Sequence, residues 1–417
     1  METHLLASLR DTSSGQAADR ILRACVHCGF CLATCPTYQL LGDELDSPRG
    51  RIYQIKQVLE GAPATRAAQV HLDRCLTCRS CETTCPSGVE YGHLVDIGRA
   101  ALEARVRRPW PERLHRWVLR EGLTRSWLFG SALRLARTFR RILPRALRDK
   151  VGVAHSPGQW PKAEHARKVL LLKGCTQPSL RPSIDFATAR VLDRIGVQSL
   201  IASGAGCCGA MRHHLTDPEG ALEEIRRNVD VWWPYINSGS VDAIIVNASG
   251  CAAMVKEYAH LLRDDSLYAQ RARRIVDLTR DPAEFLAREL VTRATTSDQR
   301  TAPARAGTLP RLVAFQSPCT LQHGLQIRGL IEQLLRSLGA ELVPVADGHL
   351  CCGSAGTYSL LQGKLAGDLR QRKLDALLAE RPQAILSANI GCIAHLQAAT
   401  QVPVRHWLEW VDEALRE

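Results

Sequence analysis

The residues of this chain that could do chemistry are its sixteen cysteines, and eight of them form two copies of one spaced run. The run C-x2-C-x2-C-x3-C-P begins at Cys25 and again at Cys75. In bacterial two-cluster ferredoxins, the first three thiolates of such a run bind one [4Fe–4S] cluster and the fourth binds the other cluster. The spacing therefore predicts two [4Fe–4S] clusters and the transfer of single electrons.

This crossed arrangement assigns four ligands to each cluster. Cluster 1 is predicted to bind Cys25, Cys28, Cys31 and Cys85, and cluster 2 is predicted to bind Cys75, Cys78, Cys81 and Cys35. Zinc is the alternative for paired C-x2-C runs, but a zinc site does not explain why each run also has a third cysteine and a final C-P. His27, His71 and His93 lie near the runs and are interpreted as surface or capping residues, because the cysteines already complete both sites.

The other eight cysteines form two sets of four in the second half of the chain. The sets are Cys175, Cys207, Cys208 and Cys251, and then Cys319, Cys351, Cys352 and Cys392. The same interval separates the first cysteine from the Cys-Cys-Gly triplet in both sets, which indicates an internal duplication. Each set could bind a cluster or form a redox-active thiol site. Burial as small hydrophobic residues is disfavoured, because all sixteen cysteines fall in repeated motifs. We expect at most one set to hold a third cluster.

The pattern of apolar runs predicts the helices and strands that position these cysteines. Between the two ferredoxin runs, Ser47 and Pro48 predict the start of a helix and Gly61 its end, and a second helix is predicted at residues 94–107. In the second half, strands alternate with helices twice, which is typical of parallel sheets whose strands carry the cysteines at their carboxyl ends. We expect the two cysteine edges to face one shared cleft.

The predicted fold class is therefore multidomain: an α-helical two-cluster ferredoxin domain followed by two duplicated α/β lobes of βαβ, parallel-sheet type. The predicted boundaries are residues 1–107 for the ferredoxin domain, 108–165 for a basic helical linker, 166–295 for the first lobe and 308–417 for the second lobe. The polar stretch at residues 295–307 is predicted to link the lobes.

Other motifs compete with these cysteines as candidate sites. Gly204, Gly206 and Gly209 match the dinucleotide pattern G-x-G-x-x-G, but the equivalent stretch of the second set keeps the cysteines and loses the glycines, which disfavours a nucleotide site. The sequence contains no Ser/His/Asp arrangement, P-loop or H-E-x-x-H run, and we identify no flavin site in it. Candidates for proton handling lie beside the cysteine motifs: His213, His214, His323 and His395.

The net charge of +12 is concentrated in the arginine-rich segment at residues 99–150, where Trp110, Trp117 and Trp127 are interleaved. Three interpretations compete: an interfacial helix on anionic lipid, a nucleic-acid patch, or a solvated linker that docks an acidic partner. No nucleic-acid motif accompanies the segment. Because no apolar signal core or membrane span is present and free thiols suit a reducing compartment, we expect a cytoplasmic protein, peripheral on the inner face of the cell membrane.

Several local sequences carry a resemblance to a known family. R-A-C-V-H-C-G-F-C at residues 23–31, S-P-R-G at 47–50, A-S-G-C at 248–251 and H-L-C-C-G-S-A-G-T-Y at 349–358 resemble the iron–sulfur subunit of bacterial glycolate oxidase, or glycolate dehydrogenase. The resemblance implies an electron-transfer subunit of an oxidoreductase complex, with flavin only in partner flavoprotein subunits. It implies oxidation of glycolate to glyoxylate in the partner, and electron delivery to a membrane acceptor such as quinone.

The two lobes also resemble the cysteine-rich CCG domains of heterodisulfide reductase and of anaerobic glycerol-3-phosphate dehydrogenase. In that wider group the fuller pattern ends in C-x-x-C, whereas Met254 and His395 stand at the last position here. Each lobe therefore lacks the final thiol, which disfavours a double-cubane heterodisulfide site. The alternative functions are an iron–sulfur subunit of an anaerobic glycerol-3-phosphate dehydrogenase and a heterodisulfide-reductase-like thiol redox enzyme.

Overall fold

The computed structural model of the protein describes residues 1–140, 142, 156–287, 289 and 309–416. The predicted linker at residues 295–307 lies outside the described residues. So do residue 141 and residues 143–155, which include the last part of the basic segment.

The ferredoxin domain is helical, as predicted. Its helices are Ala7–Arg10, Ser13–Ala24, Pro36–Leu41, Pro48–Leu59, Arg66–Asp73, Ser80–Thr84 and Tyr91–Arg105, with short 3-10 turns at Phe30–Leu32 and Glu44–Asp46. Ser47 caps the fourth of these helices by accepting a hydrogen bond from the Gly50 N–H at 3.0 Å. The last helix begins earlier than the sequence predicts, because the Glu82 carboxylate accepts the Gly92 N–H and so stabilises the first turn.

The helices of this domain pack around buried aliphatic side chains. Ile55 faces Gly98 so closely that a Cβ at Gly98 would lie 2.5 Å from Ile55 Cγ1. The two long helices Pro48–Leu59 and Tyr91–Arg105 therefore approach one another at this glycine, and any larger residue there would force them apart.

Two basic helices follow, at Trp110–Thr124 and Ser126–Thr138. Arg108 anchors their start, since its guanidinium is buried and contacts Asp73 at 2.6 Å and Glu103 at 2.7 Å. Arg212 of the first lobe contacts Glu121 at 3.0 Å from the other side. Among the residues that the structure describes, no helix has both the length and the apolar character needed to cross a bilayer.

Each lobe is built on a four-stranded parallel sheet, as the sequence predicts. The strands are β1 Arg167–Leu171, β2 Val197–Leu200, β3 Ala243–Ile245 and β4 Thr279–Arg280 in the first lobe, and β5 Leu312–Gln316, β6 Glu341–Leu342, β7 Ala384–Ser387 and β8 Val404–His406 in the second. The strand order is β2-β1-β3-β4 in one sheet and β6-β5-β7-β8 in the other. The two orders match strand for strand, so the internal duplication is confirmed.

The helices of the lobes cover both sheets. In the first lobe they are Gln177–Leu180, Ser183–Arg194, Ala210–His214, Pro218–Asn237, Ser249–Lys256, Tyr258–Leu261 and Ala269–Leu278. In the second lobe they are a π-helical turn at Thr320–Gly324 and the helices Leu330–Ser337, Tyr358–Leu361, Gly363–Leu378, Ile390–Gln397 and Trp407–Ala414. Every cysteine of the two lobes lies after the carboxyl end of a strand or in the helix that follows it.

The lobes and the ferredoxin domain pack against one another. One hydrophobic core contains Val169 and Val191 of the first lobe together with Val313 and Trp407 of the second. The buried His406 joins the lobes through a hydrogen bond of 2.9 Å between its Nε2 and the Asn247 carbonyl. This packing brings the ends of both sheets to one face of the molecule, where the ferredoxin domain is docked.

Candidate metal centres

The two ferredoxin runs adopt the same backbone turn. His27 and Gly29 have positive φ values of 56° and 87°, and the equivalent Thr77 and Arg79 have 52° and 59°. Left-handed residues between the cysteines reverse the chain tightly, so that three thiols of each run face one side of the loop. Arg79 adopts this conformation without being glycine, and its guanidinium is held by Glu257 of the first lobe at 2.5 Å.

The residues predicted for cluster 1 are brought together at the outer end of the ferredoxin domain. Cys25, Cys28, Cys31 and Cys85 line one pocket, which Cys81 also borders. Cys28 is exposed, whereas Cys25 is buried. Burial raises the pKa of Cys31 to about 11, so this thiol needs a nearby positive centre to be deprotonated at neutral pH.

The residues predicted for cluster 2 are brought together deeper in the protein. Burial raises the pKa of Cys81 well above its ordinary value, and the charges of Cys78, Cys75 and Cys35 raise it further. Close thiols of this kind repel one another as thiolates unless a metal centre compensates their charge. Two donors face Cys75 Sγ: the Thr77 N–H at 3.4 Å and the Tyr91 hydroxyl at 3.6 Å. Such donors raise the reduction potential of a cluster bound at that sulfur.

Buried charges hold the loops of this second site. Asp46 is fully buried and contacts Arg51 at 3.1 Å, His71 at 3.1 Å and Arg74 at 2.8 Å. Arg99 donates hydrogen bonds to the Cys75 carbonyl at 2.7 Å, to the Leu72 carbonyl at 2.9 Å and to the Thr77 hydroxyl at 2.9 Å. Arg99, and Arg51 through the His71 carbonyl at 2.8 Å, satisfy backbone carbonyls that would otherwise be buried without partners. The arginines also place positive charge beside the cysteines predicted for cluster 2.

The cysteines of the two lobes meet at one cleft of about 420 Å³, which confirms the predicted shared cleft. It is lined by Cys175, Cys207, Cys208, Cys251, Cys319, Cys351 and Cys392, together with Cys75 of the ferredoxin domain. Cys352 lies buried behind this surface. In the second lobe the Cys319 and Cys351 sulfurs are 3.5 Å apart. The spacing allows both sulfurs to bind one metal centre.

The two lobes differ in the charge around their cysteines. In the second lobe Lys373 is buried, with its ammonium 3.0 Å from the Asp347 carbonyl and 3.1 Å from the Gly348 carbonyl. Burial lowers the pKa of Lys373, and the negative charges of the four cysteines of that lobe oppose the shift. Hydrogen bonds from Cys351 and Cys392 lower the pKa of Cys352 well below its ordinary value. Cys352 therefore favours the thiolate, whereas hydrogen bonds with neighbouring cysteines, followed by burial, raise the pKa of Cys351 and of Cys392 well above the ordinary value.

In the first lobe the cysteines have neutral hydrogen-bond donors and the Glu224 carboxylate nearby, and Glu224 is paired with Arg212 at 3.0 Å. The Asn228 amide donates to the Cys207 carbonyl at 2.7 Å, and the Tyr258 hydroxyl donates to the Cys208 carbonyl at 3.0 Å. A hydrogen bond with Cys207, followed by burial, raises the pKa of Cys175 well above its ordinary value, and the Glu224 carboxylate adds to this shift. The first lobe therefore favours protonated thiols.

The second lobe also lies directly against the second ferredoxin site. Leu76 packs with Cys319, Cys351 and Tyr358 in one buried cluster that Cys78 borders. Burial, and then the charge of Cys319, raise the pKa of Cys78 well above its ordinary value. The Cys78 and Cys319 thiols are therefore close enough to interact electrostatically. A hydrogen bond of 2.9 Å between the Thr83 hydroxyl and His323 Nδ1 also joins the ferredoxin domain to the second lobe.

The structure places the remaining predicted histidines at separate positions. His213 Nε2 contacts Asp96 at 3.0 Å, with His214 beside it. His395 Nε2 lies 3.1 Å from the Ala366 carbonyl. His27 stacks edge-on against Tyr53, His71 contacts Asp46, and His93 contacts Glu257 at 2.9 Å.

Sequence reasoning missed several residues that shape these centres. Arg99 and Lys373 are charged residues buried inside helices, and Tyr91 begins a helix. Arg51, by contrast, was predicted from the sequence to favour a reduced cluster, because it lies close to the cysteines, and it also stands in the apolar stripe of a helix, four residues before Ile55. Lys373 offered no such signal, because only packing against the Cys-Cys turn buries its ammonium.

Comparison with known proteins agrees with this geometry. The model of the 4Fe-4S dicluster domain matches residues 21–89, and the model of the cysteine-rich domain matches residues 169–256 and 313–397. The matched stretches contain all sixteen cysteines. Iron–sulfur cluster binding by this chain follows from the dicluster match and from the buried sets of thiols.

Similarity to curated proteins extends over the whole chain. The chain is 49% identical over 419 residues to the "Glycolate oxidase iron-sulfur subunit" of Escherichia coli (strain K12), and the match covers 100% of both chains. It is 30% identical to the "Probable glycolate oxidase iron-sulfur subunit" of Bacillus subtilis (strain 168), covering 89% of this chain and 88% of that one. Over 55% of its length it is 24% identical to "Lactate utilization protein A" of Bacillus licheniformis, covering 90% of that protein. The chain belongs to the family of glycolate oxidase iron–sulfur subunits.

Proposed function

We propose that this chain transfers electrons within a flavin-dependent glycolate dehydrogenase and passes them to a membrane acceptor such as quinone. The observation that carries the proposal is the presence of two ferredoxin cysteine runs together with full-length similarity to the Escherichia coli subunit. Oxidation of glycolate to glyoxylate releases two electrons and two protons. The flavin of a partner subunit takes both electrons at once, and this chain conducts them singly. We assign no substrate-binding residue to it.

Two [4Fe–4S] clusters are the cofactors we propose for the ferredoxin domain. Cluster 1 is held by Cys25, Cys28, Cys31 and Cys85, and cluster 2 is held by Cys35, Cys75, Cys78 and Cys81. The clusters supply one-electron chemistry when bound. The surrounding residues of this chain exclude water, donate hydrogen bonds to the sulfurs and place Arg51, Arg74 and Arg99 beside the more buried centre. Positive charge there favours the reduced, more negative state.

A third cluster is proposed for the second lobe, bound by Cys319, Cys351, Cys352 and Cys392. The buried Lys373 supports this choice over the first lobe, because an ammonium stabilises an anionic thiolate centre whereas Glu224 destabilises one. The contact between Cys78 and the cysteines of the second lobe gives electrons a short path from cluster 2. The first-lobe set, Cys175, Cys207, Cys208 and Cys251, remains protonated in this proposal.

The test uses the complex of this chain with its flavoprotein subunits, purified without oxygen. Cys28→Ser and Cys78→Ser should each leave reduction of the flavin by glycolate intact while the EPR signal of the reduced clusters changes. Turnover with the membrane acceptor should fall by about tenfold or more, because a missing thiolate removes a cluster ligand. Thr84→Ser is the matched control: it lies in the second run, binds no cluster and keeps its hydroxyl. Unchanged turnover in both cysteine variants would contradict the proposal.

We also propose that the chain is peripheral on the cytoplasmic face of the cell membrane, attached through the two basic helices. Trp110 is 72% exposed, Trp117 53% and Trp127 70%. Further exposed apolar side chains continue these stripes: Leu114, Val118, Leu135, Phe139 and Ile142. Aromatic side chains beside arginines on amphipathic helices are typical of binding at the boundary between headgroups and acyl chains of anionic lipid.

Salt and detergent distinguish this attachment from one through a partner. If lipid headgroups attract the arginines, high salt should release the chain from membranes, because screening shortens the range of exposed charges. Release by detergent alone would indicate a hydrophobic anchor on a partner subunit and would contradict attachment through these helices.

A further inference from the structure

An apolar patch lies on the surface of the ferredoxin domain, beside the cysteines predicted for cluster 1. Val26 is 68% exposed and Phe30 is 63% exposed, and both line the pocket that these cysteines share. Tyr53 is 49% exposed and stands next to the same loop, where its ring meets the ring of His27 edge-on at 6.5 Å. We call Val26, Phe30 and Tyr53 the cluster 1 patch. Exposed apolar side chains grouped in this way are typical of a surface that binds another protein.

The patch adjoins the one cysteine that is exposed to solvent. Of the sixteen cysteines, all of which the structure describes, only Cys28 is exposed. In the described part of the chain, every residue that lines the pocket around Cys28 belongs to the ferredoxin domain, so neither lobe and neither basic helix contributes a wall. Electron transfer slows steeply as the distance between donor and acceptor grows. A protein that exchanges electrons with this chain therefore finds the thinnest cover over a cysteine site at the cluster 1 patch.

The cleft where the cysteines of the two lobes meet adjoins the basic helices instead. Leu123 and Phe129 of those helices line this cleft together with Cys75. Cys81 borders the pocket of cluster 1. The cysteines predicted for cluster 2 therefore stand between the cluster 1 patch and the cleft of the lobes. Because the basic helices are the surface proposed for lipid, the cleft lies at the membrane side of the chain, and the cluster 1 patch is left for the protein that donates electrons.

The charged residues next to the patch are paired within this chain. Arg49 lines the same pocket and contacts Glu44 at 2.6 Å, and Arg23 contacts Asp19 at 2.8 Å. The two aromatic rings of the patch together expose roughly 200 Å². A standard interface buries about 800 Å² on each partner, so the patch can supply the apolar centre of an interface whose polar rim includes these ion pairs. We therefore expect a partner that presents an apolar face rather than a strongly charged one.

We propose that a flavoprotein subunit docks on the cluster 1 patch, through an apolar face that surrounds the exposed edge of its flavin. This inference rests on the proposed function, which leaves open where on this chain the flavoprotein binds. Phe30 and Tyr53 supply aromatic side chains of the kind enriched at the centres of interfaces, and docking over them shields the exposed Cys28 from water. The reduced flavin loses its two electrons one at a time to this chain, and its two protons pass to solvent.

Affinity for the flavoprotein subunits tests this surface separately from turnover. The full chain, prepared without oxygen and loaded with iron, is titrated with the flavoprotein subunits. Tyr53→Glu should weaken binding by about tenfold or more, because it buries a charge in an apolar contact, and its iron content should stay unchanged because Tyr53 lies outside the cysteine runs. Phe30→Glu tests the patch at a second position. Leu267→Glu is the matched control, because Leu267 is 74% exposed but lies in the first lobe. Wild-type affinity in both patch variants would overturn the proposal.

The rate at which the chain is reduced provides the second measurement. With glycolate and a limiting amount of flavoprotein, loss of visible absorption should be about tenfold slower in Tyr53→Glu than in the wild type, whereas dithionite, which needs no docking, should reduce both at the same rate. Equal rates with glycolate would overturn the proposal. Self-association of the wild-type chain that Tyr53→Glu abolishes would assign the patch to contact between copies and would also overturn it. If the wild-type chain binds no flavoprotein subunit, the proposed function itself fails, whereas binding that both patch variants retain contradicts the docking surface alone.

Discussion

Attachment to lipid can be tested by replacing Trp110 and Trp127 with serine in one variant. The two side chains are 72% and 70% exposed. A tryptophan offers up to about 250 Å² of surface, so each of these exposes about 180 Å². If a membrane covers half of that area, the pair contributes about 4 kcal/mol at ~25 cal/mol per Å². The double variant should then partition onto vesicles about 10³-fold more weakly, since ~1.4 kcal/mol corresponds to a factor of ten.

The assay is co-sedimentation with vesicles that contain phosphatidylglycerol, over a range of lipid concentrations. Leu267→Ser is the control, because Leu267 is 74% exposed but lies in the first lobe, away from the basic helices. Binding should also weaken from 0.1 M to 1 M salt, as the Debye length falls from about 10 Å to about 3 Å. Equal lipid dependence in the double tryptophan variant and the wild type would refute the reasoning.

Three further outcomes are expected. Cys352→Ser should lower the iron content by about four atoms per chain while Cys208→Ser leaves it unchanged, as measured on anaerobically prepared protein; equal losses in both variants would contradict the choice of the second lobe. Asp46→Asn should lower the free energy of unfolding by about 3–5 kcal/mol in denaturant titrations, because it leaves the buried Arg51 uncompensated, whereas Glu44→Gln at the exposed pair with Arg49 should cost about 1 kcal/mol or less. Although burial opposes it, His93 and Arg79 lower the pKa of Glu257 from 4.5 to about 2, so the stability that this carboxylate contributes is complete above pH 4.5 and is lost as the pH falls toward 2. Acid titration of Glu257→Gln should lack that part of the pH dependence, and an identical acid transition in the variant would contradict the assignment.

The local features of the fold were predictable from the sequence because they depend on neighbouring residues. The helix that begins at Pro48 follows from its serine cap and its apolar spacing, and the two parallel sheets follow from alternating strands and helices. The start of the helix at Tyr91 was missed, because the group that stabilises its first turn is a carboxylate from another helix, Glu82.

The sequence by itself determined the kind of chemistry, since the spacing of a C-x2-C-x2-C-x3-C-P run restricts which thiols can reach one centre. It also determined the duplication, because equal intervals between cysteines are visible without coordinates. Only the tertiary structure decided what surrounds those thiols. Lys373 and Glu224 distinguish two lobes whose cysteine motifs look alike, and His93 and His213 share a cavity although far apart in the chain. Burial and charge depend on which distant residues pack together, and local spacing carries no record of that packing.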